Sequence, residues 1–210
     1  MISILIADDH AIVRNGLARI LEKTGEMKVV AEYDNGIDAL NWLLGNDCDI
    51  ALIDISMPGM NGIDLLKRLQ KEKPKLPVLI ISIYAEDQYA VRLIKAGASG
   101  YLTKGCASAI VVEAVCQVAS GKKYINPAVA EMLANEIGDT HEKLPHENLS
   151  DREYQILLLL ASAKTVTEIA ESMALSGKTV STYRARILEK MHLHNNAELM
   201  LYAINNHLAE

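Results

Sequence analysis

Short runs of β-branched and aliphatic residues alternate with segments of helical periodicity over residues 2–120. Residues 2–7 (Ile-Ser-Ile-Leu-Ile-Ala) predict a strand. Residues 11–23 predict a helix, because Ile12, Val13, Leu17, Ile20 and Leu21 recur at the spacing of one helical face. The same alternation predicts strands over 28–33, 50–53, 77–83 and 100–102, and helices over 36–44, 62–71, 87–96 and 108–120. Two of the strands are apolar on successive residues (Ile50-Ala51-Leu52-Ile53 and Val78-Leu79-Ile80-Ile81), as a sheet covered on both faces requires. Strand–helix alternation of this kind predicts an α/β domain, a flavodoxin-like doubly wound five-stranded parallel sheet.

The alternation ends near Gly138. Residues 138–148 are polar and contain Gly and Pro, which predicts a linker, preceded by a helix over 127–137 that either packs on the first domain or extends the linker. Every later element reads as helix. Ser150 with Glu153 three residues on is a capping box opening a helix to about Ala163, with Tyr154, Leu157, Leu158 and Ala161 on one face. Thr165 or Thr167 caps a short helix to Met173, Ser176 caps a helix over 178–191, and Asn196 caps a last one to about Leu208. The expected organisation is a domain over 1–122, a linker over 123–147, and a small all-α four-helix domain over 148–210.

Composition excludes several classes. Half of the 210 residues are apolar and 23% are charged, the profile of a globular chain. No apolar run approaches the roughly 20 residues that span a bilayer. The N-terminal strand lacks the basic segment of a signal peptide, so the chain is expected to stay in the cytoplasm without membrane contact. Three cysteines, Cys48, Cys106 and Cys116, show no CxxC spacing and read as reduced, packed thiols. His192 and His194 have no evident third metal ligand. A net charge of −6 argues against non-specific coating of nucleic acid, so any DNA contact must rest on local positive charge.

The chemistry concentrates at the carboxyl ends of the predicted strands, where open α/β sheets bind ligands. The first strand ends in Asp8-Asp9, the third in Asp54 and the fourth in Ser82, and Lys104 follows the fifth by two residues. Three convergent carboxylates repel one another unless a cation sits among them, and oxygen ligands of this hardness suit Mg²⁺. An Asp beside the metal can attack a phosphoryl group while Lys and Ser stabilise its outer oxygens. The reading is Mg²⁺-dependent phosphoryl transfer to Asp54, with Lys104 and Ser82 as the phosphate clamp.

These residues resemble a known family. Ala7-Asp8-Asp9-His10, the run from Asp54 to Gly62 with Ser56-Met57-Pro58-Gly59, Ser82, and the run from Gly97 to Lys104 are similar to receiver domains of two-component response regulators, and Asp-Asp-His resembles the NarL/FixJ branch. The resemblance implies that Asp54 is phosphorylated by a cognate sensor histidine kinase. It also implies that Asp9, Asp8, Asp54 and the Ser56 backbone carbonyl serve the metal, and that Ser82 and Tyr101 form the switch pair. Many relatives carry Thr at the position of Ser82; Ser keeps the hydroxyl.

In the second domain, the helix to Met173, the turn Leu175-Ser176-Gly177 and the helix over 178–191 have helix-turn-helix spacing. Val180, Tyr183, Ile187 and Met191 form an inward stripe. Lys178, Ser181, Thr182, Ala185 and Arg186 face outward, and Lys178, Arg184, Arg186 and Lys190 reach toward phosphates from the flanks. Residues 148–210 hold six Lys/Arg against seven Asp/Glu, but residues 176–194 hold four against one, so positive charge is focused on this helix. Leu149-Ser150-Asp151-Arg152-Glu153, Val166-Thr167-Glu168-Ile169-Ala170 and the run from Ser176 to Tyr183 resemble the LuxR-type DNA-binding domain, in its GacA/UvrY-like branch. The resemblance implies a homodimer on double-stranded promoter DNA, with Ser181, Thr182 and Ala185 facing bases and Lys178 and Arg184 contacting the backbone; Thr179, Arg186 and Lys190 complete the expected DNA-binding set. Many relatives carry Lys and His at positions 181 and 183, so base preference does not carry over. The last helix is apolar nearly all round, and Leu199, Tyr202 and Ala203 are expected to pair two copies.

Two rival functions remain. An Asp-based small-molecule phosphatase resembling the haloacid-dehalogenase group needs an acid two residues after the nucleophile, where this chain has Ser56. Catalysis is therefore expected to stop at self-phosphorylation and slow self-hydrolysis. A regulator that never uses phosphate is disfavoured by the intact acidic set.

Overall fold

In a computed structural model, which describes residues 1–138, 144–206 and 208, the first 103 residues build a five-stranded sheet. Its strands are β1 (Ile2–Ala7), β2 (Met27–Tyr33), β3 (Ile50–Ile53), β4 (Val78–Ser82) and β5 (Gly100–Thr103). They run parallel in the order β2-β1-β3-β4-β5. Between them lie α1 (Ala11–Glu22), α2 (Gly36–Gly45), α3 (Gly62–Glu72) and α4 (Glu86–Lys95), and α5 (Ser108–Ala119) follows. Period-2 side-chain alternation sends Ile4, Ile6, Ile50, Leu52, Leu79, Ile81 and Leu102 into one core with Leu17 and Leu21 of α1 and Val111, Val115 and Val118 of α5. The intervening residues, Leu5, Ala51, Ile53, Ile80 and Tyr101, are also buried, so the strands are apolar on both sides as expected.

The polar interruptions fix where helices begin. Asn35 and Asn61 cap α2 and α3 by accepting from the Asp38 and Asp64 amides. The strands differ from expectation only at their ends: β2 starts at Met27, and β4 loses Pro77, which lacks an N–H for the ladder, and Ile83.

The helix expected over 127–137 had two options, packing on the first domain or extending the linker, and its head takes the first. The chain divides into compact units of Met1–Glu136 and Ile137–Glu210, so the start of α6 (Pro127–Gly138) belongs to the first unit. The Tyr124 amide donates to the Ser99 carbonyl at 2.7 Å. Asn126 caps α6 through the Val129 amide and also donates its Nδ2 to Glu86 of α4 at 2.6 Å. Of the expected linker, residues 139–143 lie outside the described residues.

The second unit holds a 3-10 turn at Pro145–Asn148, then α7 (Asp151–Ala161), α8 (Val166–Ser172), α9 (Gly177–Lys190) and α10 (Asn196–Asn205). Both capping boxes form, Ser150 with Glu153 and Thr165 with Glu168, which settles Thr165 over Thr167 as the cap of α8. Ser176 caps α9, and Asn195, not Asn196, caps α10. Helix α7 was expected to bury one face, but all its residues except Arg152 are buried. It is packed by α8, α9 and α10. Val180, Ile187 and Met191 point inward as read, joined by Leu188, while Tyr183 is half-exposed. No helix among the described residues is long and apolar enough to cross a membrane.

Candidate functional site

The acidic pocket forms at the crossover between β1 and β3, where adjacent strands send their connections to opposite faces. Register does the positioning. Ile53 pairs with Ala7, so the residue after β3, Asp54, stands beside Asp8 and donates its amide to the Ala7 carbonyl at 2.8 Å. The Asp54 carbonyl is overhung by Gly62, where any Cβ would collide with it; a glycine is required for α3 to start this close. On the other flank Ser82 pairs with Thr103, and the Lys104 amide donates to the Ser82 carbonyl at 2.7 Å, which turns the lysine back over the pocket.

Lys104 Nζ then lies 2.8 Å from Asp8 Oδ2 and 2.9 Å from Asp54 Oδ2. Asp8 and Asp54 are each 2% exposed and Ser82 is fully buried, whereas Asp9 stands at the rim with His10 Nδ1 2.6 Å from its Oδ1. Burial pushes the Asp54 carboxyl up to about 6; Lys104 opposes the rise, and Asp8 and Asp9 add to it. Burial alone would lower the Lys104 ammonium, but its bonds to Asp8 and Asp54 carry it above its ordinary value. Ligand atoms of Asp8, Asp9, His10 and Asp54 all lie within 4.8 Å of one another.

One ammonium cannot neutralise three carboxylates. Asp54 Oδ1 is buried without a hydrogen-bond partner, a costly state for a charged oxygen unless a cation or phosphoryl group completes it. The donor set, carboxylate oxygens around a buried acceptor, fits a hard divalent cation.

The expected switch residues sit together. Tyr84 donates its amide to Ser82 Oγ at 3.4 Å, and buried Tyr101 donates its hydroxyl to the Tyr84 carbonyl at 2.8 Å. Burial raises the Tyr101 phenol, so it stays protonated as that donor. Two residues on, Glu86 holds Asn126 at the head of α6. Sequence reasoning missed this contact; the partners are 40 positions apart and neither belongs to a local motif. Ser56 is half-buried. The Cys48 thiol, raised to about 11 by burial, is no nucleophile at neutral pH.

In the helical unit, Lys178, Ser181, Thr182, Ala185, Arg186 and Lys190 are exposed along α9, and Thr179 and Arg184 are half-buried. A shallow concavity is lined by Ser176, Lys178, Thr179, Thr182, Tyr183 and Arg186. Two of the expected phosphate-reaching cations have partners inside the unit: Arg184 Nε donates to Asn196 Oδ1 at 2.6 Å, and Lys190 Nζ lies 2.7 Å from Glu153 Oε2. The pairing surface expected on α10 is corrected. Leu199 and Ala203 are fully buried in the core, and the Tyr202 hydroxyl is 2.8 Å from His146 Nδ1. The large apolar residues α10 exposes are Leu201, at 59%, and Ile204, at 50%.

An aspartate pocket of this build on a doubly wound sheet, followed by a helix-turn-helix unit, defines a two-component response regulator with a DNA-binding output domain. Residues 4–116 match the family described as response regulator receiver domain, and residues 147–203 match bacterial regulatory proteins of the luxR family. The response regulator UvrY of Escherichia coli K12 is 37% identical over 99% of this chain and 96% of that protein. The response regulator GacA of Pseudomonas aeruginosa is 36% identical over 100% of this chain and 99% of that protein. Among solved structures, Salmonella typhimurium RcsB is similar with a TM-score of 0.62 at 27% identity, covering 96% of this chain and 98% of that one. A complex of RcsB with DNA matches with a TM-score of 0.60 at 27% identity, covering 96% of each chain. The chain belongs to the LuxR-type response regulators, a family of DNA-binding transcriptional regulators.

Proposed function

We propose that Asp54 accepts a phosphoryl group from the phosphohistidine of a cognate sensor histidine kinase, and that phospho-Asp54 controls self-association and promoter binding. The observation that carries this reading is the division of labour on Asp54, where Lys104 holds Oδ2 and the buried Oδ1 has no partner. Oδ1 is the nucleophile: its bond to phosphorus forms as the P–N bond to the donor imidazole breaks, and the imidazole leaves as a neutral base after taking up a proton. Asp8, Asp9, Asp54 and the Ser56 carbonyl would hold Mg²⁺, which supplies charge neutralisation for the incoming phosphoryl oxygens. Lys104 moves with the charge, from two carboxylates to a phosphoryl oxygen. Ser82 turns its hydroxyl to another, withdrawing it from the Tyr84 amide, and Tyr101 follows as the β4–α4 connection shifts. The only catalysis in this reading is self-phosphorylation and slow hydrolysis of the acyl phosphate, and the site of action is the cytoplasm, where promoter DNA is.

For DNA, the exposed row Lys178, Ser181, Thr182, Ala185 and Arg186 supports major-groove docking of α9, with Ser181, Thr182 and Ala185 toward base edges, Thr179 at the helix start, and Lys178, Arg184 and Arg186 toward phosphates. Lys190 is tied to Glu153 and contributes less than the sequence suggests. Two copies pair through Leu201 and Ile204.

The test is a small-molecule phosphodonor added with Mg²⁺ to the full chain. Wild type is expected to gain the mass of one phosphoryl group and to bind promoter DNA more tightly. Asp54→Asn is expected to do neither. Uptake that persists in Asp54→Asn, or DNA binding indifferent to uptake, sinks the proposal.

A further inference from the structure

The two asparagines that open α10 divide their work. Asn195 caps the helix: its Oδ1 accepts from the Glu198 amide at 3.0 Å and its Nδ2 donates to Glu198 Oε1 at 2.9 Å. Asn196, the first residue of the helix, is not needed for capping. Its Oδ1 instead accepts from Arg184 Nε at 2.6 Å. Among the described residues this is the one hydrogen-bond partner of the Arg184 side chain.

An arginine bound through Nε keeps both Nη groups, the fork that matches a phosphate. The planar guanidinium has its orientation set by the bond at Nε, so the fork is aimed before DNA arrives. We infer that Asn196 is a positioning residue for DNA binding, which holds Arg184 of the recognition helix with its two-nitrogen fork directed at a backbone phosphate. This rests on the reading of Arg184 as a phosphate contact. The arrangement also differs in kind from that of Lys190, whose single ammonium is held by the almost fully buried Glu153 carboxylate and has no planar two-nitrogen fork to present.

The experiment measures the salt dependence of binding by the full-length chain to a duplex that the wild type selects from a random-sequence pool. Each phosphate contact contributes about 0.9 to the slope of log K against log salt. Arg184→Ala is expected to reduce the slope by about 0.9 per bound copy, so that between 50 and 200 mM salt each wild-type copy loses about 3.5-fold more affinity than each variant copy. Asn196→Ala is expected to reduce it as far, and the double variant no further than Arg184→Ala alone. Arg184→Lys, which keeps the charge but lacks the Nε donor, is expected to lower the slope and to be indifferent to Asn196→Ala. Thermal unfolding of each variant reports folding separately.

A wild-type slope in Asn196→Ala, with a reduced one in Arg184→Ala, overturns the inference and leaves the phosphate contact standing. A wild-type slope in Arg184→Ala overturns the contact itself. Additive losses in the double variant show that the two residues act independently and also overturn the inference.

Discussion

Replacing Asp54 with Asn tests the electrostatics of the pocket apart from any phosphate chemistry. Burial lifts the Asp54 carboxyl from 3.8 to about 6, so the folded chain holds this proton more tightly than the unfolded one. Stability therefore falls as pH rises between 3.8 and about 6, and above that the penalty is constant. At about 1.36 kcal/mol per pH unit, that rise costs about 3 kcal/mol. The attraction of Lys104 is already inside this figure, because it holds the carboxyl down. Asn keeps the shape and cannot ionise. Asp54→Asn is expected to be more stable than wild type by up to about 3 kcal/mol at about pH 7.5 without divalent cations, and by little near pH 4. The chain has one tryptophan, Trp42, on α2 of the receiver unit, so its emission during urea unfolding of the full chain reports this unit alone. Added Mg²⁺ is expected to narrow the gap, since it supplies counter-charge to the wild-type pocket and far less to the variant. An Asn variant that is less stable than wild type at every pH, or whose advantage is the same at low and neutral pH, refutes the reasoning.

Four further outcomes follow from particular residues. Ala163, just past the end of α7, has φ +59°, so Ala163→Gly is expected to raise the stability of the helical unit by about 1 kcal/mol in denaturant titration followed by far-ultraviolet circular dichroism; an unchanged midpoint would mean the backbone there is unstrained. Gly62→Ala drives a methyl into the Asp54 carbonyl and is expected to cost more than about 3 kcal/mol, whereas Gly16→Ala, with no atom within 4 Å of the new methyl in mid-helix, is expected to stabilise by about 0.5–1 kcal/mol; equal urea midpoints for the two would contradict this. Leu201→Asp or Ile204→Asp is expected to leave melting almost unchanged and to abolish pairing in sedimentation of the DNA complex, while Leu199→Asp unfolds the unit; pairing that survives both exposed changes places the interface elsewhere. Lys190→Met removes the counter-ion of the buried Glu153 carboxylate, which keeps its Ser150 hydrogen bonds, and is expected to cost about 1–3 kcal/mol, discounted because the lysine is 43% exposed, with little change in the salt slope of DNA binding; a drop of about 0.9 in that slope would restore Lys190 to the phosphate set.

What was legible in the sequence was what local pattern and topology decide together. Ile53 and Ala7 are each the last apolar residue of a parallel strand, so the residues after them, Asp54 and Asp8, had to meet at the rim, and Ser82 and Lys104 joined them for the same reason. Some caps whose side chain serves its own helix were legible, Ser150 and Ser176 outright and Thr165 as one of two candidates, whereas the cap of α10 was read one residue late, at Asn196 in place of Asn195. Contacts across tens of positions were not. Glu86 with Asn126 and Glu153 with Lys190 obey no spacing, and their effect is to hold the head of α6 on the first unit and to occupy Lys190 within the second. Helix α10 failed for a different reason. Leu199, Met200, Leu201, Tyr202, Ala203 and Ile204 are apolar or amphipathic on every side, so this run does not say which face turns inward. That choice belongs to α7, which buries Leu199 and Ala203 and leaves Leu201 and Ile204 to water. An apolar pair left exposed on a helix that had a buried alternative is where, within this unit, a second copy has most to gain, since covering the exposed half of each side chain yields about 1 kcal/mol or somewhat more.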